Sequence, residues 1–284
     1  MLVLHHDPKE LQASLKLLRA TLFGLVENFE FKHARDLFTR LASTRHPGLT
    51  DPQRLALAEM LKSLGDKATM QILAAFLKEN SQLARSHDVF ELMKTLGRET
   101  VPHLCELLSS AEPHIPAIAD VLVQLGAGCG DIFSQYLLSP NAQVAHALVQ
   151  VILRTDKHGA IERIASALKH PDENVRLYAA KTLFEHGGAK AGSFFLQMLK
   201  GTSPKLVSLA IRFFAKTPHA AAYGEIQAIV RNRGFHDFDG QRQDQCFMAL
   251  MLADPERATA FIARSVLRWS RSLRRSNSCG ISCR

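Results

Sequence analysis

Side chains that could stack a nucleobase are few: one Trp and three Tyr stand among 284 residues, against 16 Phe. A protein that grips single strands or extruded bases needs exposed rings in a basic groove. Only Trp269, Tyr136, Tyr178 and Tyr223 qualify as Trp or Tyr, and Trp269 lies near a ragged C-terminal segment. Cysteine is sparse too. Cys105, Cys129, Cys246, Cys279 and Cys283 are odd in number and scattered, which fits reduced thiols better than a disulfide framework and implies a reducing compartment. Apolar runs fall short of the roughly 18 residues of a membrane span. At the N-terminus Leu2 to Leu4 give way at once to His5, His6, Asp7 and Pro8, with no basic region before an apolar stretch, so no secretion signal is read. The expected location is cytoplasmic, away from any membrane.

Acidic residues are missing altogether from the last 21 positions, which hold Arg264, Arg268, Arg271, Arg274, Arg275 and Arg284. These six account for most of the net charge of +8 and leave +2 on the other 263 residues. A nearly neutral body with a basic tail argues against a nucleic-acid groove, which would spread its charge along the fold.

What the chain has in quantity is repetition. A helical phrase recurs as Ala58-x-x-Leu61-x-x-Leu64-Gly65, Phe90-x-x-Met93-x-x-Leu96-Gly97, Ala119-x-x-Leu122-x-x-Leu125-Gly126 and Ala180-x-x-Leu183-x-x-His186-Gly187. The glycines are 32, 29 and 61 residues apart, and the last gap is two periods, so one repeat between Gly126 and Gly187 lacks its glycine and Val149 to Arg154 fill it. A unit of this size cannot bury its apolar face alone and must stack on its neighbours. Each repeat carries a second apolar helix: Met70 to Leu77, Val101 to Leu108, Ile132 to Leu138, Ile161 to Leu168 and Phe194 to Leu199. Asp51-Pro52, Pro140-Asn141, His170-Pro171-Asp172 and Ser203-Pro204 separate the pairs as start signals, and glycine after the first helix is the stop.

The segment His170-Pro171-Asp172-Glu173-Asn174-Val175-Arg176-Leu177-Tyr178-Ala179-Ala180-Lys181-Thr182-Leu183 resembles the bacterial HEAT repeat family. The resemblance spans about residues 51 to 263 and is tight over 171 to 200; elsewhere the Val-Arg pair is degraded to Val144-Ala145 and Val207-Ser208. It implies an all-α fold, an alpha-alpha superhelix: a HEAT-like solenoid of about seven helix pairs. It also implies that Asp172 and Arg176 belong to a structural ladder between repeats. Residues 1–50 are then expected to be N-terminal capping helices, with Leu11, Leu15, Leu18, Leu22 and Leu25 on one face, residues 51–270 the solenoid and 271–284 a basic tail. That tail reads either as a disordered arm or as the mark of a longer repeat protein cut or shifted in frame. The last helix, with Phe261, Ile262, Val266 and Leu267, offers an uncovered end for self-association.

No catalytic, cofactor or metal site is assigned. Gly126-Ala127-Gly128-Cys129-Gly130 follows a helix rather than a strand and reads as an interhelix turn. His5, His6, Asp7, His103 with Cys105, and Cys279 with Cys283 lack the partners of a metal site. Asn232 to Gly240 form a longer connection, the kind that more often carries function. The reading that follows is a non-enzymatic protein-protein interaction scaffold. Alternatives are a HEAT-like nucleic-acid binder or DNA-repair glycosylase, and a subunit like the helical-repeat proteins that attach bilins. The expected contact face takes the position two residues before the last leucine of each second helix: Glu106, Tyr136, Ser166 and Gln197. That position lies about 160° from the apolar centre, so the four should face solvent in one stripe, with Tyr136 as anchor.

Overall fold

Helices are the only regular elements among the residues that the computed structural model describes, which are 8–43, 49–80, 83–109, 114–156 and 158–264. The expected basic tail at 271–284, with Trp269, Cys279, Cys283, Val266 and Leu267, lies outside them, as do His5, His6 and Asp7. The chain divides into two compact units, Met1–Val175 and Arg176–Arg284.

The first unit holds α1 (Pro8–Glu27), α2 (Phe31–Ala42), α3 (Asp51–Lys62), α4 (Lys67–Glu79), α5 (Leu83–Leu96), α6 (Val101–Leu108), α7 (Ile115–Leu125), α8 (Gly130–Tyr136), α9 (Ala142–Thr155) and α10 (Ala160–Ser166). Two rows form. First helices pack α5 on α7 and α7 on α9, while second helices pack α4 on α6, α6 on α8 and α8 on α10. The core between the rows is aliphatic: Leu104, Leu108, Ile118, Leu122, Leu148 and Ile152 are fully buried. At the N-terminal end α2 takes the place beside α5, fixed by an Arg35–Asp88 ion pair at 3.2 Å, and the Phe31 ring meets Phe76 of α4 edge-on at 4.8 Å. Helix α3 packs on α1 and α2 instead, so the Ala58 to Gly65 phrase belongs to a helix beside the first-helix row.

Helix α11 (Glu173–His186) begins at the end of the first unit, and nearly all of it belongs to the second. The second unit continues with α12 (Gly192–Leu199), α13 (Pro204–Phe214), α14 (Ala222–Arg231) and α15 (Gly240–Ala253), and residues 255–264 form α16. Here α12 packs on α13 and α14, and α15 on α13 and α14. Its core is aromatic rather than aliphatic: Phe195 stacks on Phe213 with centroids 4.1 Å apart, and Phe184 meets both rings edge-on.

The recurrent glycine has a different cause from the left-handed stop that its position suggests. Gly126 and Gly187 keep ordinary φ angles of −83° and −81°. A Cβ at Gly126 would lie 2.5 Å from the Phe133 ring, and one at Gly187 would lie 2.6 Å from the Ala191 Cβ. The close return of the second helix excludes a side chain there. Gly97 alone among the four follows the left-handed rule, at φ 88°. In the repeat without a glycine, Asp156 stands thirty residues after Gly126, and its carboxylate accepts from the Gly159 amide at 2.8 Å and from Arg163 Nε at 2.7 Å.

The start signals work as expected where Asn141, Asp172 and Ser203 accept from the helix-start amides of Gln143, Asn174 and Leu206. Thr50, not Asp51, precedes α3, and its amide donates to Gln53 Oε1 at 2.9 Å. Struts about one repeat long tie neighbouring pairs. His114, fully buried, donates from Nε2 to the Leu77 and Asn80 carbonyls at 3.1 and 2.9 Å. His170 accepts the Asp172 amide on Nδ1 and so donates from Nε2 to the Ser139 carbonyl at 2.7 Å. Arg154 pairs with Asp120 at 3.0 Å and Arg163 with Asp131 at 2.5 Å.

The Gly159 amide first, and the Arg163 guanidinium second, hold the Asp156 carboxyl below the usual carboxylate range, against an opposing push from burial. A depressed folded value means that its stabilisation is complete above the unfolded value of about 3.9 and is lost as pH falls through the folded one. Asp156→Asn is expected to cost about 1–2 kcal/mol at neutral pH. Melting curves of the two proteins should converge as pH drops below about 4; a gap independent of pH would assign the effect to shape rather than charge.

Candidate functional site

The second-helix row of the first unit leaves one side to solvent, and three of the four stripe positions lie along it on α6, α8 and α10. Glu106 is exposed, with 56% of its side chain accessible, and sits 3.8 Å from His103 one turn earlier. Between α4 and α6 runs a shallow groove of about 150 Å³ lined by Lys67, Gln71, His103 and Glu106. Apolar spacing gave no sign of it, because it depends on how far apart α4 and α6 stand.

Tyr136 is half-buried rather than fully exposed. Its phenol is pushed up by burial first and by the Glu106 charge second, so it stays neutral and can both donate and accept a hydrogen bond. Helix α6 packs on α8, which sets Glu106 and Tyr136 on neighbouring second helices. Ser166 is half-buried and donates its hydroxyl to the Arg163 carbonyl of its own helix at 2.6 Å, which leaves the oxygen able to accept from a partner. Gln197 is exposed on α12 of the second unit, near a Lys200–Glu225 ion pair of 3.1 Å that joins the end of α12 to α14.

The ladder pair is placed as follows. Asp172 caps α11, accepting from the Asn174 amide at 2.6 Å, and Arg176 is half-buried one turn further on. Sequence reasoning missed the struts made by His114, His170, Arg154 and Arg163. A usable signal was present for the last two, since the Asp120–Arg154 and Asp131–Arg163 separations of 34 and 32 residues each approximate one repeat.

The chemistry on offer is that of contact rather than bond making. Burial pushes the Cys105 and Cys246 thiols to about 12, so both are protonated at neutral pH and poor nucleophiles. Among the described residues no group of three or more His, Cys, Asp or Glu could hold a metal ion, and no helix is long and apolar enough to cross a membrane. The Gly126–Gly130 run is the turn between α7 and α8; Arg98 reaches over it to the Ala127 carbonyl and lies 3.6 Å from the Cys129 sulfur. The long connection after α14 is ordered by its own residues. Asn232 caps a single 3-10 turn, Arg233–Asp237, Phe235 is buried against Phe247, and Asp239 caps α15. Phe261 and Ile262 at the α16 end are half-buried, and the Phe261 ring lies under the Arg231 guanidinium.

Residues 131–213, from α8 through α13, match the family model described as HEAT repeats. That segment carries HEAT repeats, and the described residues on either side of it are likewise helices packed on their neighbours. No curated protein matches it.

Proposed function

We propose that this protein is a non-enzymatic interaction scaffold that binds a protein partner along the exposed side of its second helices, with Glu106, Tyr136, Ser166 and Gln197 as the contact positions. The observation that carries the reading is the Glu106–Tyr136 pair. A half-buried neutral phenol on α8, an exposed carboxylate on the adjacent α6 and a groove lined by Met70, Ala74 and Leu107 as well as Lys67, Gln71 and His103 give a partner apolar area and hydrogen-bonding groups on neighbouring helices. Tyr136 is the anchor, because an aromatic ring already restrained by its surroundings loses little entropy on binding. Asp172 and Arg176 serve the stack rather than the partner. The free, buried Cys105, Cys129 and Cys246 support a reducing compartment, the cytoplasm.

Replacing Tyr136 and Gln197 together with alanine is expected to weaken a protein partner about tenfold or more, or roughly 1.4 kcal/mol. The check is a titration by calorimetry, with the melting temperature of the variant measured alongside. Unchanged affinity would remove this face from consideration.

A further inference from the structure

A cavity of about 800 Å³ lies within the second unit, where α14, the 3-10 turn after it and α16 meet. Four arginines line it: Arg231 at the end of α14, Arg233 in the turn, and Arg257 and Arg264 on α16. All four are exposed, and no acidic residue lines the cavity. Asp254, which does not line the cavity, pairs with Arg257 at 3.6 Å, while Arg231, Arg233 and Arg264 have no carboxylate partner among the described residues.

The walls hold the charges in place. The Arg257 guanidinium lies over the buried Tyr223 ring at 4.5 Å, and that of Arg231 lies over Phe261 at 5.4 Å. A guanidinium held over a ring face still has N–H groups to offer an oxyanion, and a restrained side chain loses less entropy when it binds. Arg257 and Arg264 are seven residues apart on one helix, two turns or about 10 Å along its axis. The positive charge is therefore spread along a wall rather than converging on one point, as a single phosphate would need. The Tyr223 and Phe261 rings of the wall already carry a guanidinium, and the one other ring is the His236 imidazole, so the wall offers charge contact more than a platform for stacking successive bases. The volume lies in the range of sites that enclose several groups of a ligand.

We propose that this cavity binds an extended acidic segment of a protein partner, with carboxylates spaced along the chain. The proposal rests on the protein-binding reading above and gives that partner a second, charge-specific contact. It also changes where the chain's basicity acts, since Arg264, the first of the six C-terminal arginines, lines the cavity.

The test is fluorescence anisotropy with the full chain and three labelled probes of equal net charge: an Asp/Glu-rich peptide, a phosphoserine peptide and an oligothymidylate. Three variants accompany the wild type. They are Arg231→Gln with Arg257→Gln, the single Arg233→Gln, which leaves both ring contacts intact, and Arg271→Gln with Arg274→Gln and Arg275→Gln. The carboxylate peptide should bind the wild type and weaken at least tenfold in the first variant and severalfold in the second. In the third it should change no more than twofold. Loss confined to the third variant overturns the proposal in favour of the basic tail. Tighter binding of oligothymidylate overturns it in favour of nucleic acid, and a tenfold preference for phosphoserine overturns the carboxylate assignment. A peptide that fails to bind while a partner still depends on Tyr136 and Gln197 removes the cavity alone. A peptide that binds while the partner ignores Tyr136 and Gln197 removes the second-helix face alone.

Discussion

Phe195→Ala is expected to destabilise the second unit by about 3–5 kcal/mol, the cost of deleting a fully buried phenyl ring. Phe195 has no accessible surface and stacks on Phe213 at 4.1 Å with the planes 13° apart, while Phe184 meets both rings edge-on. Removing it leaves a cavity between α12 and α13 and takes a stacking partner from Phe213, a contribution of about 0.5–1.5 kcal/mol beyond buried area. Phe195→Leu keeps most of the volume and should cost well under half as much. Urea denaturation followed by tryptophan-independent circular dichroism checks both. Equal losses for the two variants would mean that the ring geometry, and not the filled volume, carries the effect.

Gly126→Ala is the second large effect, at about 2–3 kcal/mol from a single added methyl, because the methyl has nowhere to go. It would sit 2.5 Å from the Phe133 ring, which is fully buried, and 2.4 Å from the Leu122 carbonyl of the same helix. Neither is the loose end of a flexible chain. Gly97→Ala acts through another mechanism, since no atom lies within 4 Å of its added carbon but its φ of 88° is unfavourable for an L-residue. It should cost about 1–2 kcal/mol. Thermal melts of the two variants separate the mechanisms when combined with Phe133→Leu, which should relieve Gly126→Ala and leave Gly97→Ala untouched.

The repeat was legible because its causes are local. Apolar spacing, a glycine at a fixed offset and a polar start residue each depend on a few consecutive residues, and they located α4 to α13 as helix pairs. Where the cause was long-range, the signal failed. The seat of α2 beside α5 depends on Arg35 reaching Asp88 and on Phe31 reaching Phe76, pairings that no local pattern encodes. Glycine was placed correctly for the wrong reason at Gly126 and Gly187, since sequence shows a missing side chain and not what approaches it. Of the candidate face, the solvent exposure of Glu106 and Gln197 followed from helical phase alone. The half-burial of Tyr136 depends on the neighbouring helix, as does the groove beside Glu106. The basic cavity was hidden because Arg231, Arg233, Arg257 and Arg264 lie scattered over thirty-four positions in sequence, with no run to mark them.

The central claim, that one side of the second helices is a protein-binding face, is tested most directly by site-specific photo-crosslinking in the cell of origin. A photoreactive residue is placed in turn at Glu106, Tyr136 and Gln197, and at Gln124 and Lys181, which are exposed on the first helices α7 and α11. The account predicts one and the same protein adduct from the second-helix positions, absent from both first-helix positions and lost when an unlabelled wild-type chain competes. An adduct pattern that favours Gln124 and Lys181, or that does not distinguish the two sets, would contradict it.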